Sequence, residues 1–170
     1  MSVEKLHTLI SLVQDEPGVL TRVAGLFRRR GFNIESLSVG HCEQPGLSRM
    51  TIVVKGDDAS VDQVTKQLDK LINVVNVTDI TRENMVAREL ALFKVSATPE
   101  NRSELMQLCD IFRSKIVDVA HDSLIVEVTG GGEKIDALGN LLKPFGVTEM
   151  ARTGITALTR GGKSSIDSED

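Results

Sequence analysis

The stretch DEPGVLTRVAGLFRRRGFNIESLSVG, running from Asp15 to Gly40, holds the residues whose order suggests chemistry. Pro17 suits a first helical turn, and Gly18 after it leaves the backbone amides of Val19 and Leu20 uncovered by a side chain. A helix amino terminus offers unpaired N–H groups and partial positive charge to a carboxylate, and Asp15 just before it can accept from an ammonium. Together these groups suit an α-amino acid. The helix is followed by a strand opening on Asn33, whose side-chain amide both donates and accepts. It is a second clamp if that strand lies near such a turn, within one subunit or across a dimer. A plainer reading uses Gly18 for tight helix–strand packing and Asp15 as an N-terminal cap, and spacing does not choose between the two. Glycine inside a helical turn is locally unfavourable. On helical angles, an Asp at position 18 is therefore expected to relieve a cost.

Other constellations are weaker. His7, His41 and His121 are scattered over a strand, a strand end and a hairpin turn, and each reads as a surface or satisfied histidine rather than a base. Cys42 and Cys109 fall in separate halves with no CxxC or Cys/His spacing, which fits free thiols in a reducing compartment and gives no metal site. The Gly-Gly-Lys-Ser run near Gly162 fails as a phosphate loop, because that spacing requires glycine where Ala157 stands. The TGGGE run at Thr129 to Glu133 reads as a strand-to-helix turn, and the basic Arg28–Arg30 run as a solvated helix end.

The elements that must position these residues follow a short grammar. LHTLISLV (6–13) is strand-like; Val19, Leu20, Val23 and Phe27 recur at helical spacing, and Gly31 ends that helix. Residues 32–55 read as a hairpin, Val61, Val64, Leu68 and Leu71 stripe a second helix, and NVVNVTDI is a fourth strand. The result is β-α-β-β-α-β. The same grammar repeats: RELALFKVSA, a helix striped by Leu105, Leu108, Cys109 and Phe112, the strands SKIVDVA and SLIVEVT, a helix striped by Ile135, Leu138 and Leu142, and GVTEMARTGITAL as one final strand. FRRRGFNIESL from Phe27 corresponds in position to FRSKIVDVA from Phe112. The fold class is α+β, two tandem ferredoxin-like domains over 6–80 and 88–158, with TRENMVA (81–87) between them and a polar tail, 159–170, expected to be disordered.

Composition agrees and excludes. A 170-residue chain with 41% apolar residues can bury two small cores. A net charge of −4 gives no electrostatic reason for a nucleic-acid or anionic-membrane partner, and five Phe with no Trp or Tyr leave few rings for stacking bases. No run approaches 18 apolar residues, and the amino terminus lacks a charged leader with an apolar segment. The expected location is the cytoplasm, or the plastid stroma if the chain is a mature imported form.

DEPGVLTRVAGLFRRRGFNIESLSVG, continued by LSRMTIVVKGD and QLDKLINVVNV, resembles the amino-terminal ACT domain of the small, regulatory subunits of acetolactate synthase (acetohydroxyacid synthase), and FRSKIVDV with ARTGITALTRG resembles the family's carboxy-terminal, ACT-like domain. The resemblance implies a non-catalytic subunit, with no cofactor of its own. It would bind and activate a large catalytic subunit that uses thiamine diphosphate, Mg and FAD, and would confer feedback inhibition by valine. It also implies that residues 6–80 form the effector-binding and dimerising domain. The effector would lie between two ACT domains, held by Asp15, Gly18, Val19 and Leu20 of one chain and by Asn33 and Ile34 of the other. Many relatives carry an amide at the position of Asp15, so ion pairing and hydrogen bonding to the ammonium both stay open. The second half has SATPENRSEL at the equivalent turn, with no glycine and with Asn101 and Arg102 where backbone would need to be bare, so no second site is expected.

Three function classes compete for this sequence. An allosteric binding subunit accounts for the Gly18 turn and the duplicated fold; an ACT-domain amino-acid sensor for another partner is its close alternative. A stand-alone enzyme lacks a recognisable acid/base or cofactor set. A ferredoxin-like RNA binder shares the fold, but its third strand should present aromatics, and SRMTIVVKG has none.

Overall fold

The computed structural model describes residues 4–162 and 164. In the first unit, β1 (Lys5–Gln14) leads into α1 (Val19–Arg29), followed by β2 (Ile34–His41), β3 (Leu47–Gly56), α2 (Asp58–Leu68) and β4 (Val74–Asp79). The sheet is antiparallel with order β2-β3-β1-β4, so β1 and β3 are central and β1 delivers the chain directly to the start of α1. Period-two alternation puts Leu9 and Val13 of β1 and Met50, Ile52 and Val54 of β3 in one core with Val19, Val23, Leu26 and Phe27 of α1 and Val61, Val64 and Leu68 of α2. Each such side chain contributes roughly 1.5–3 kcal/mol by leaving water. α1 terminates where Gly31 adopts φ 74°. α2 begins under Asp57, whose carboxylate accepts from the Ser60 amide at 3.0 Å and the Ser60 hydroxyl at 2.8 Å.

The second unit repeats the plan with β5 (Met85–Ser96), α3 (Arg102–Ile111), β6 (Lys115–Val119), β7 (Ser123–Gly130), α4 (Gly132–Leu142), a 3-10 turn (Lys143–Phe145) and β8 (Val147–Arg152), in the order β6-β7-β5-β8. Its core gathers Phe93, Val95, Leu105, Cys109, Leu124, Val126, Ile135 and Leu138. Burial pushes the Cys109 thiol above its ordinary range, which fits an inert packing residue.

The final strand differs from its sequence reading. GVTEMARTGITAL is not continuous: β8 stops at Arg152, and after a break at 153–155 the chain forms β9 (Thr156–Thr159), which pairs with β5. The break follows from Gly154, whose backbone sits so close to β2 that a Cβ built there would lie 2.3 Å from the Leu37 carbonyl oxygen. The segment is then fastened to the β2–β3 hairpin: the Ile155 amide donates to Ser36 Oγ at 2.8 Å, and Arg49 Nη2 donates to the Ala157 carbonyl at 2.9 Å. Burial lowers the Arg49 guanidinium below its ordinary value. The chain therefore divides into one unit running through Val86 and resuming at Gly154, and a second comprising Ala87–Thr153, so residues 154–158 go with the first unit rather than the second. In the stretch 81–87, Met85 onward is already strand. Of the tail, Thr159 closes β9, and residues 163 and 165–170 lie outside the described residues.

Candidate functional site

The turn after β1 is built around Gly18. It is the N-cap of α1, with φ 87° and ψ −6°, and no side chain caps the helix. Two details correct the sequence reading. The helix starts at Val19, so Pro17 precedes it rather than occupying its first turn, and Gly18 lies in the left-handed region, where an L side chain is strained. A substitution there adds a cost instead of relieving one. Space is not the constraint, since a Cβ at Gly18 meets nothing within 4 Å in the chain. The Gly18 carbonyl accepts the helical bond from the Arg22 amide at 3.0 Å, while the Val19 amide makes a long turn bond to the Glu16 carbonyl at 3.4 Å. The Val19 side chain is buried in the core and Leu20 is half-exposed, so any contact from Val19 to a ligand is through backbone.

Asp15 stands at the mouth of this turn, its amide bonded to the Gly46 carbonyl at 2.9 Å. Its carboxylate already has neighbours: Ser48 Oγ donates to Oδ1 at 3.3 Å, and His41 Nδ1 lies 3.4 Å from Oδ2. His41 is 82% exposed, as its surface reading required, yet it faces the candidate carboxylate. Sequence reasoning missed both neighbours. Their signal is the register that pairs Val13 with Ser48 and His41 with Ser48 across β3, which no local motif reports.

Asn33 and Ile34 lie at the far end of α1. Eleven helical residues separate them from Gly18, about 16 Å at 1.5 Å per residue. There they line an open depression with Ala24, Phe27 and Arg28, and Asn33 Nδ2 donates to Glu35 Oε1 at 3.2 Å. One chain thus brings together Asp15, Gly18, Val19 and Leu20 and keeps Asn33 and Ile34 apart from them.

The corresponding turn of the second unit is closed by side chains. Asn101 Oδ1 accepts from the Thr98 amide at 2.7 Å, and Arg102 Nη2 spans the turn to the carbonyls of Ala120 and His121 at 3.0 and 2.9 Å. Like α1, α3 has no side-chain cap at its start, but its N-cap is Asn101 rather than a left-handed glycine. Elsewhere, His7 is buried, with Nδ1 3.0 Å from Asp79 Oδ2, consistent with a structural histidine. Among the described residues no three His, Cys, Asp or Glu side chains come together as a metal site, and no helix is long and apolar enough to cross a membrane.

Two β-α-β-β-α-β units of one strand order, the first opening its leading helix on a left-handed glycine, define a tandem ferredoxin-like chain of the ACT type. Comparison with known proteins narrows this. The family described as AHAS small subunit-like ACT domain matches residues 9–76, and that described as small subunit of acetolactate synthase matches residues 88–161. A probable acetolactate synthase small subunit of Archaeoglobus fulgidus is 57% identical over 92% of this chain and 98% of its own length. The acetolactate synthase small subunit of Mycolicibacterium smegmatis is 50% identical over 91% of each chain. The crystal structure of the acetolactate synthase small subunit from Thermotoga maritima superposes with a TM-score of 0.87 at 48% identity, covering 94% of this chain and 99% of that one. The chain belongs to the acetolactate synthase small-subunit family.

Proposed function

We propose that this chain is the valine-responsive regulatory subunit of acetolactate synthase. It docks on a large catalytic subunit, which carries thiamine diphosphate, Mg and FAD, raises that subunit's activity and transmits inhibition by valine in branched-chain amino-acid biosynthesis. Family membership supports the partner; the observation that carries the effector is the uncapped, glycine-opened start of α1 with a carboxylate at its mouth. The valine carboxylate is held by the helix amino terminus at Gly18, Val19 and Leu20, where partial positive charge favours an anion, and Asp15 takes the ammonium.

The separation of Asn33 and Ile34 from that turn gives the second half of the reading. A valine molecule does not span about 16 Å, so Asn33 and Ile34 reach it from a second copy of the chain. Two antiparallel copies place each α1 start beside the other's α1 end, an isologous arrangement in which both sites are completed together. The test is reconstitution. The purified chain is mixed with the catalytic subunit, acetolactate formation is followed with and without the chain, and valine is titrated into the mixture. Stimulation that valine reverses is the expected result. Catalysis by the chain alone, or stimulation indifferent to valine, refutes the proposal.

A further inference from the structure

The Asp15–Gly18 turn is held from beneath by a residue that no motif singles out. Asn73, in the loop between α2 and β4, is 6% exposed. Its backbone carbonyl accepts from the Gln14 amide at 2.8 Å. Its Nδ2 donates to Gln14 Oε1 at 2.9 Å and to Glu16 Oε2 at 3.0 Å, and its Oδ1 accepts from Arg22 Nη1. These partners bracket Gly18 on both sides: Gln14 ends β1, Glu16 sits in the turn, and the Arg22 amide takes the Gly18 carbonyl. The set demands two donors and an acceptor on one short planar group, which an asparagine side chain supplies and neither aspartate nor leucine does.

We infer that Asn73 is a positioning residue for the effector, setting the Asp15–Gly18 turn in its binding shape before the ligand arrives; this rests on the amino-acid-binding reading of that turn. Preorganisation raises affinity because ligand contacts then need not order the loop. Asn73 lies outside the apolar core cluster, and Gln14, Glu16 and Arg22 are all exposed. When the amide is removed, water can take over at those three groups. The turn loosens while the sheet and helices keep their packing.

The experiment uses the full chain with its catalytic subunit, reading three quantities: valine binding by calorimetry, the valine midpoint of inhibition, and maximal stimulation without valine. Asn73→Ala is expected to weaken valine by about tenfold and leave stimulation within about twofold. Asn73→Asp sets a carboxylate against Glu16 and weakens valine at least as much. Adding Glu16→Gln to Asn73→Asp restores that hydrogen bond with donor and acceptor exchanged, and is expected to recover most of the affinity. A purely stabilising role would move melting temperature and stimulation without this selective loss and recovery. An unchanged valine midpoint in Asn73→Ala, or no recovery in the double variant, overturns the inference. Should Asn73→Ala fail to fold, the comparison of Asn73→Asp with its Glu16→Gln partner decides. A wild-type chain that binds no valine overturns the underlying reading as well, and is recognised before any variant is compared.

Discussion

Gly18 separates a backbone role from a ligand role when two substitutions are read side by side. Gly18→Ala tests the backbone: φ 87° costs an L residue roughly 1–2 kcal/mol, with no added clash because the Cβ meets nothing within 4 Å. Gly18→Asp has the same or a smaller backbone cost, since aspartate visits the left-handed region more readily than alanine. It also brings a carboxylate to where the valine carboxylate is placed. Two like charges about 4 Å apart repel by roughly 4 kcal/mol at an effective dielectric near 20, about a thousandfold in affinity. The assay is valine inhibition of the reconstituted enzyme, with thermal melts of each chain. Both variants should lose similar stability and still stimulate the catalytic subunit; Gly18→Asp alone should abolish inhibition. If the two shift the valine curve equally and in step with their melting temperatures, Gly18 serves the backbone only and the carboxylate is misplaced.

Three further outcomes are expected. Sedimentation should show a dimer or larger assembly, and a monomer that binds one valine per chain would remove the shared-site reading. Gly154→Ala should loosen the segment that follows it, because a Cβ 2.3 Å from the Leu37 oxygen forces a backbone shift costing about 1–3 kcal/mol; faster exchange of the Ile155 amide checks this, and unchanged exchange counts against it. The Ser60 amide, then its hydroxyl, hold the Asp57 carboxyl below the usual carboxylate range. A depressed folded pKa stabilises above the unfolded value, near pH 4, and that contribution is lost as pH falls through the folded pKa. The melting-temperature gap between wild type and Asp57→Asn should close on acidification, and a gap constant from pH 7 to pH 3 would contradict it.

The elements were legible where one force set them. The stripe Val19, Val23, Phe27 and the alternation in β1 and β3 are apolar periodicities, and they place the first core largely by themselves. The β-α-β-β-α-β plan of each unit followed from the repeating pattern, whereas the separate β9, which makes the second sheet five-stranded, did not. What stayed hidden depends on tertiary approach. Nothing in GVTEMARTGITAL marks Gly154 as the point where the backbone meets β2, because the colliding atom belongs to Leu37, more than a hundred residues away. Pro17 and Gly18 read as a helical turn because propensity cannot report the sign of φ. The candidate site was half legible: the glycine-opened helix start and Asp15 follow from residue types, whereas His41, Ser48 and Asn73 reach that turn through sheet register and a loop contact.

The fastening of residues 154–159 onto the β2–β3 hairpin makes the second unit an insertion rather than an appendage, entered at Val86–Ala87 and left at Thr153–Gly154. Such a chain has two covalent crossings where a simple tandem has one. Cutting the backbone at the first crossing, between Val86 and Ala87, would not release the second unit under native conditions. The nicked halves would stay joined by the Ser36–Ile155 and Arg49–Ala157 bonds and would separate only on denaturation. Residues 154–159 thus close a long loop back onto the β2–β3 hairpin, so the unfolded ensemble must be drawn together across that whole span before the first unit gains its last contacts.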